Sequence, residues 1–406
     1  MQMNLFEHVG EAYAAARSHT LDNDSLYRAV ARLAELPESE LDTKVPVGRS
    51  GQTHSLLKRK IRWHQQSMKS MGLIEHVPDK RGLWQLTEAG KSKLTRIRPT
   101  VAMLAYSTDL GMAVWGNCQH ALKNLDVPIT LCISSPPYPL KKARAYGNPT
   151  AQDYVDFITA AMEPVVRHMS PEGSLVLNVS NDIFENSSPA RSLYLEKLVI
   201  ALCERLGLSL MDRFVWHNPS KPPGPVRYAS IERNQLNVAY EPVLWFALDP
   251  SRCKADNRRV LEPHSEKHLK LMQQGGEQRI QRHSDGAYTL RHGSYGNVTP
   301  GRIPRNVLTM GHSCPSLQRL NRKLDELGLP RHGAPMPLSL VLFFIRFLTE
   351  VHDLVVDPFG GSGTLAEGAE ATGRSWLSIE CMLEYVKGSA ERVREAPGFW
   401  LNPVLQ

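Results

Sequence analysis

Apolar residues recur at helical spacing in Leu26-Tyr27-Arg28-Ala29-Val30-Ala31-Arg32-Leu33, and again among many cations between Ser50 and Met71, which predicts two amphipathic helices. A charged turn at Asp79-Lys80-Arg81-Gly82, a strand at Leu83-Trp84-Gln85-Leu86 and a helix opening at Thr87 follow, with a linker near Arg98-Pro99-Thr100. Beyond the linker the pattern changes to short continuous apolar runs alternating with amphipathic segments. Strands are expected at 129–133, 174–179, 208–216 and 241–248, helices at 151–169 and 193–206, and a turn at Ser170-Pro171-Glu172-Gly173. Such alternation predicts an α/β domain with a doubly wound, mostly parallel sheet and an added antiparallel edge. Residues 251–310 break the rhythm, because arginines, lysines, histidines and glycines leave little to build a core. Order returns with a strongly apolar helix at 338–349, a strand at 354–356, a helix from Thr364 and a strand at 375–379. The expected divisions are 1–98, 99–250, 251–310 and 311–406.

The segment Asp357-Pro358-Phe359-Gly360-Gly361-Ser362-Gly363-Thr364 carries the first chemical signal. Pro358 stops a buried strand because it cannot donate to a ladder. Three glycines then let the backbone turn and approach a ligand closely. The helix from Thr364 would place free N–H groups at its N-terminus, and Glu380, about twenty residues on, would close the next strand with a carboxylate suited to ribose hydroxyls. No Gly-Lys-Ser/Thr ending follows, so a phosphate loop is excluded, and the G-x-G-x-x-G spacing of a dinucleotide site is absent.

The second signal is Ser134-Ser135-Pro136-Pro137-Tyr138, straight after the strand at 129–133. Two prolines remove two donors and fix two φ angles, so the carbonyls before them point rigidly outward. Ser135 and the Pro136 carbonyl could accept from an exocyclic amine while Tyr138 offers a stacking face. Acceptors that draw off the amine's hydrogens restore its lone pair as it attacks, which favours the transition state.

Composition changes this picture in two ways. A formal charge of +7 suits a polyanionic partner, and no stretch approaches the roughly 20 apolar residues of a membrane span, nor does the N-terminus resemble a signal peptide, so a cytoplasmic protein is expected. Six scattered cysteines without a C-x-x-C pair argue against a metal site.

Together, Ser-Pro-Pro-Tyr first and Asp-Pro-Phe-x-Gly-Ser-Gly-Thr last resemble the β group of amino-methylating DNA methyltransferases, over roughly residues 112–395. The resemblance implies the S-adenosylmethionine-dependent methyltransferase fold in a permuted motif order, with S-adenosyl-L-methionine as cofactor and double-stranded DNA as substrate. It implies catalytic roles for Ser135, Pro136, Pro137 and Tyr138, and cofactor contacts from Asp357, Phe359, Gly360, Gly361, Gly363, Thr364 and Glu380. Pro335 lies in His332-Gly333-Ala334-Pro335-Met336-Pro337, which resembles the segment beside the cofactor's methionine end; His332 itself is expected to start a helix or pack. The family's usual Gly-Asp is here Gly116-Asn117, and Asn117 can still accept through its amide oxygen.

The serine of the tetrapeptide resembles the N4-cytosine enzymes of restriction-modification systems more than the adenine-N6 enzymes, which stand as the alternative; a catalytically silent DNA-binding regulator is a second. A cytosine-C5 enzyme would need a cysteine in the catalytic loop, and Cys314 before Pro315 lies elsewhere. DNA contacts are expected from the loop cations Lys141, Lys142 and Arg144, and from Arg279, Arg282, Arg291, Arg302 and Arg305 in a target-recognition region. Asn181-Asp182 and Asn218-Pro219-Ser220 could line the base pocket or cap their own loops. The N-terminal module resembles the winged helix of Mrr-type endonucleases, which would put Lys58, Arg59 and Arg62 on DNA. A cognate restriction endonuclease acting separately and a monomeric or homodimeric state are the remaining expectations.

Overall fold

The computed structural model describes residues 5–16, 18–46, 53–70, 73–78, 80, 82–87, 90, 100–123, 125–139 and 153–405. The N-terminal module starts earlier than its pattern suggested, with a helix at Leu5–Ala15 that buries Val9, Ala12 and Tyr13. Strand β1 (Thr20–Asp22) leads into helix Asn23–Leu33, whose first turn is capped by Asp22 accepting from the Ser25 N–H. After a single turn at Ser39–Asp42 comes a ribbon of β2 (Lys44–Pro46) and β3 (Thr53–Ser55). Helix Leu56–Ser70, then β4 (Ile74–His76) and β5 (Leu83–Leu86), complete a sheet in the order β1-β5-β4. The sheet of this module is three-stranded, because β1 pairs with β5 as β4 does. The helix expected from Thr87 lies largely outside the described residues.

The rest of the chain is built on one ten-stranded sheet. Its strands are β6 (Ala102–Ser107), β7 (Gly111–Gly116), β8 (Ile129–Ser134), β9 (Met169–Asn178), β10 (Ser209–His217), β11 (Tyr240–Ala247), β14 (Val307–Thr309), β15 (Leu354–Asp357), β16 (Ser375–Glu380) and β17 (Trp400–Leu401). They lie in the order β14-β10-β11-β9-β8-β15-β16-β7-β6-β17. Only β6 and β11 run against the others. The antiparallel strand β11 is thus interior, between β10 and β9, rather than at an edge.

Alternation along each central strand sends side chains to two cores. Leu175, Leu177, Leu354, Val356, Leu377 and Ile379 face the helices Tyr154–Arg167 and Tyr194–Leu206. Val176, Val355 and Trp376 face Leu338–Leu348 and Thr364–Glu370. Burial on both faces explains why these strands read as continuous apolar runs. Helix Tyr194–Leu206 ends at Gly207, whose φ of 69° closes it in the left-handed conformation that glycine permits.

Two expectations are corrected here. Residues 170–173 do not end a unit: they form an irregularity inside β9, where Met169 to Ser174 oppose only Ile129 to Leu131. The segment 251–310 is not structureless either. It holds helix Glu266–Gln273, a small hairpin of β12 (Gln281–His283) and β13 (Tyr288–Leu290), and finally β14, whose Leu308 is buried in the main core. Its entry is fixed to the start of β15, with Lys254 Nζ 2.8 Å from Asp353 and Arg259 donating to the Thr349 carbonyl at 2.7 Å.

Candidate active site

The parallel strands β8, β15, β16 and β7 are neighbours and end at one edge of the sheet, and each delivers a polar group there. Ser134 closes β8 with its hydroxyl donating to Asp357 Oδ1 at 2.5 Å, a contact between two strand ends that the sequence did not reveal. The Phe359 N–H donates to the same oxygen at 3.0 Å, so both protein donors reach Oδ1. Asp357 is only 4% exposed, and burial pushes its carboxyl up to about 7, with the Glu380 charge adding to the shift. Among the described residues no cation pairs with it.

The glycine loop is tighter than expected. Its N–H groups are not all free: Gly360 donates to the Ile379 carbonyl at 2.8 Å, Gly361 to Glu380 Oε2 at 2.8 Å, and Gly363 to the Gly360 carbonyl at 2.9 Å. Buried donors require partners, and the loop finds them within itself and on β16. A Cβ on Gly360 would lie 2.1 Å from Ser378 Oγ, so the glycine is needed for close packing onto that strand. Gly361 has φ 50° and passes so near His332 that an added Cβ would sit 3.2 Å from its Nε2. From behind, Arg392 clamps the loop: Nε donates to the Ser362 carbonyl at 2.6 Å, and Nη1 pairs with Glu367 and reaches Ser316 Oγ at 3.0 Å. Thr364, buried at the helix start, lies 3.3 Å from Ser362 across their hydroxyls.

Glu380 accepts from Gly361 through Oε2 and from Met382 through Oε1, at 2.8 Å each, while burial raises its carboxyl above the ordinary range. Asn117, after β7, uses its side-chain oxygen to cap the turn Cys118–Ala121 through the Gln119 N–H at 2.9 Å. Its expected free acceptor is therefore already shared with a backbone donor. Ser135, His332, Ala334, Pro335, Met336, Asp357, Phe359, Gly360, Gly361, Ser362 and Thr364 line one cleft. His332 and Met336 join it although the sequence marked neither as a site residue. Phe359 also packs against Phe157, ring centres 5.9 Å apart. A cleft in which a buried carboxyl has no cation among the described residues, beside a glycine backbone loop, fits a cationic nucleoside ligand of the sulfonium kind.

On the other side of Ser135 the site is more polar. Pro136 is buried, and Tyr138 turns its hydroxyl inward, 3.1 Å from Ser135 Oγ, 3.1 Å from Asn178 Oδ1 and 2.9 Å from Glu241 Oε2. Burial and the Glu241 charge hold the Tyr138 hydroxyl well above its ordinary pKa. Glu241 stands here because β11 runs backwards, which brings its start to the edge where β9 ends with Asn178. Lys221 Nζ lies 2.9 Å from Glu241 Oε1. Neither Glu241 nor Lys221 was marked by the sequence, since they lie 103 and 83 residues from Tyr138 and belong to no motif. Of the two expected pocket segments, Asp182 pairs with Arg191 at 2.8 Å and Asn218 caps its own loop through the Ser220 N–H.

The expected DNA-facing cations divide. Arg59, Arg279, Arg282, Arg291 and Arg305 are exposed. Lys58 pairs with Asp42 at 3.3 Å, and Arg302 with Glu262 at 2.6 Å. Arg62 is corrected: its guanidinium bonds Asn23 at 2.5 Å and Gln65 at 2.6 Å, tying two helices of the module together instead of facing outward. Lys141, Lys142 and Arg144 lie outside the described residues.

A glycine-loop cleft and a proline-stiffened acceptor on adjacent parallel strands define a nucleotide-dependent group-transfer enzyme, and residues 129–391 match the DNA methylase family, to which the chain belongs. Residues 7–96 match the Mrr N-terminal domain. The chain is similar to the Type II methyltransferase M.PvuII of Proteus hauseri, 34% identical over 290 residues, covering 71% of this chain and 85% of that protein. It is also similar to the Type II methyltransferase M.BglII of Bacillus subtilis, at 25% identity over 64% of this chain and 63% of the other. The solved structure of the PvuII DNA methyltransferase, described as cytosine-N4-specific, superposes with a TM-score of 0.55 at 29% identity, covering 70% of this chain and 87% of that one. No helix among the described residues is long and apolar enough to cross a membrane.

Proposed function

We propose that the protein transfers a methyl group from S-adenosyl-L-methionine to the exocyclic N4 of cytosine in double-stranded DNA, after the base is rotated out of the duplex. The observation that carries this reading is that Ser135, straight after the strand beside β15, shares one cleft with Asp357 and the glycine loop. Asp357, Phe359, Gly361, Pro335 and Glu380 would hold the cofactor, which supplies an electrophilic methyl group when bound. Ser135 and the Pro136 carbonyl would accept the amine's hydrogens, drawing its lone pair out of ring conjugation as charge develops. The similarity to a cytosine-N4-specific enzyme supports N4 as the target.

Arg59, Arg279, Arg282, Arg291 and Arg305 would meet DNA, the first from the N-terminal module and the others from a target-recognition region within 251–310. The similarity to Type II methyltransferases supports a place in a restriction-modification system with a separate cognate endonuclease. A cytoplasmic location and a monomeric or homodimeric state complete the proposal. The test is mass spectrometry of nucleosides from duplex DNA incubated with the protein and the cofactor. N4-methylcytosine is expected, with Ser135→Ala lowering its formation at least a hundredfold; N6-methyladenine as the sole product would overturn the assignment.

A further inference from the structure

The geometry points to Glu241 as a positioning residue that fixes the direction of a two-hydroxyl hydrogen-bond chain, so that Ser135 meets the target amine as an acceptor only. Three groups surround the Tyr138 hydroxyl: Glu241 Oε2 at 2.9 Å, Asn178 Oδ1 at 3.1 Å and Ser135 Oγ at 3.1 Å. Two of these can only accept. The Glu241 carboxylate is held against Lys221 at 2.9 Å. The Asn178 amide is oriented by its Nδ2, which donates to Glu241 Oε2 at 3.3 Å and to the Pro242 carbonyl at 3.5 Å.

Tyr138 has a single proton, and the Glu241 carboxylate, nearer and charged, takes it away from Ser135; the Asn178 oxygen faces the phenol because Glu241 accepts from the same amide's nitrogen. Burial keeps that proton on the phenol, since it raises the hydroxyl well above its ordinary pKa. At the remaining contact Ser135 is then the donor, with its hydrogen directed into the protein. Its lone pairs face the cleft that it lines with Asp357 and Gly360. A target amine approaches a hydroxyl through its hydrogens, so a serine hydrogen pointing into the cleft would oppose it. Glu241 does not line that cleft and acts through Tyr138.

This inference rests on the amino-methylation reading, and wild-type turnover checks that reading separately: a wild-type protein that makes no methylated amine fails the proposed function before any variant is compared. Given an active wild type, Glu241→Gln introduces an amide that can donate toward Tyr138 and reverse the chain. Its kcat should fall at least thirtyfold with the KM for DNA and the Kd for S-adenosylmethionine within threefold of wild type. Glu241→Asp, still acceptor-only, should keep at least ten times the turnover of Glu241→Gln. Tyr138→Phe retains the ring but breaks the chain, and should lose turnover to the same degree as Glu241→Gln. The proposal is overturned by a kcat loss below thirtyfold in Tyr138→Phe, whether or not Glu241→Gln folds. It is equally overturned if Glu241→Asp is less than tenfold better than Glu241→Gln, or if the loss in Glu241→Gln appears in cofactor or DNA affinity.

Discussion

Asp357 and Glu241 stand on the same edge of one sheet, on either side of Ser135, yet among the described residues Glu241 has a cation and Asp357 does not. Glu241 is paired with Lys221 at 2.9 Å and bonded by Tyr138 and Asn178. Among the described residues Asp357, less exposed, is met only by a hydroxyl and a backbone N–H on one oxygen. A buried carboxylate without a counter-charge is costly and drifts toward its neutral form, whereas a paired one keeps its charge and orders its surroundings. On the proposed function, the difference separates a group that would receive a positively charged ligand from one whose cation is already part of the protein.

The largest effect that could break this contrast is on Asp357. If its charge awaits a cationic ligand, Asp357→Asn should weaken S-adenosylmethionine binding on the order of a thousandfold, about 4 kcal/mol by affinity arithmetic, as read by calorimetric titration. The same substitution should stabilise the ligand-free protein at high pH. A carboxyl raised from 3.8 to about 7 contributes stability that is full below pH 4 and lost as pH rises through 7. The wild type should thus lose on the order of 4 kcal/mol across that window from this residue, and the asparagine variant should not, when unfolding is followed from pH 4 to 8. A flat wild-type profile would remove the distinction between the two carboxyls.

Next in size is the clamp behind the loop. The Arg392 side chain is 2% exposed, and Arg392→Met leaves Glu367 without its cation, which should cost about 3–5 kcal/mol in chemical denaturation. Gly361→Ala is smaller: a side chain at φ 50° costs about 1 kcal/mol, and contact with His332 should add a several-fold loss in cofactor affinity without changing Glu241 or Tyr138. The smallest effects separate the surface cations. Arg282→Ala should weaken DNA binding a few-fold and reduce its salt dependence by about one counterion, while Arg62→Ala should lower the module's melting temperature and leave the salt slope unchanged.

What could be read from the sequence was local. Asp357 with its glycines and Ser135 with its prolines are contiguous motifs at strand ends, and each strand carries its own apolar run, so both the fold class and the cofactor side were legible. The polar side was not. Glu241, with Lys221 held against it, reaches Tyr138 only because β11 is inserted backwards into the sheet, and no local pattern encodes the partner of a reversed strand. Arg62 looked like its neighbours Arg59 and Lys60, and only its rotation about the helix axis turns it inward to Asn23. The loop N–H groups looked available because motif reading does not count the carbonyl of Ile379 or the carboxylate of Glu380 on the neighbouring strand.

The three residues of β14 matter for anyone who would exchange sequence specificity between such enzymes. They come at the end of the segment proposed to read DNA, but they cover the outer edge of β10, with Val307, Leu308 and Thr309 beside Val215, Trp216 and His217. An unpaired strand edge invites pairing with another chain. A chimera that replaces the segment as far as residue 310 would therefore exchange part of the scaffold with the reading head and risk an insoluble product. A graft that stops before Val307 keeps the sheet's border with its own protein.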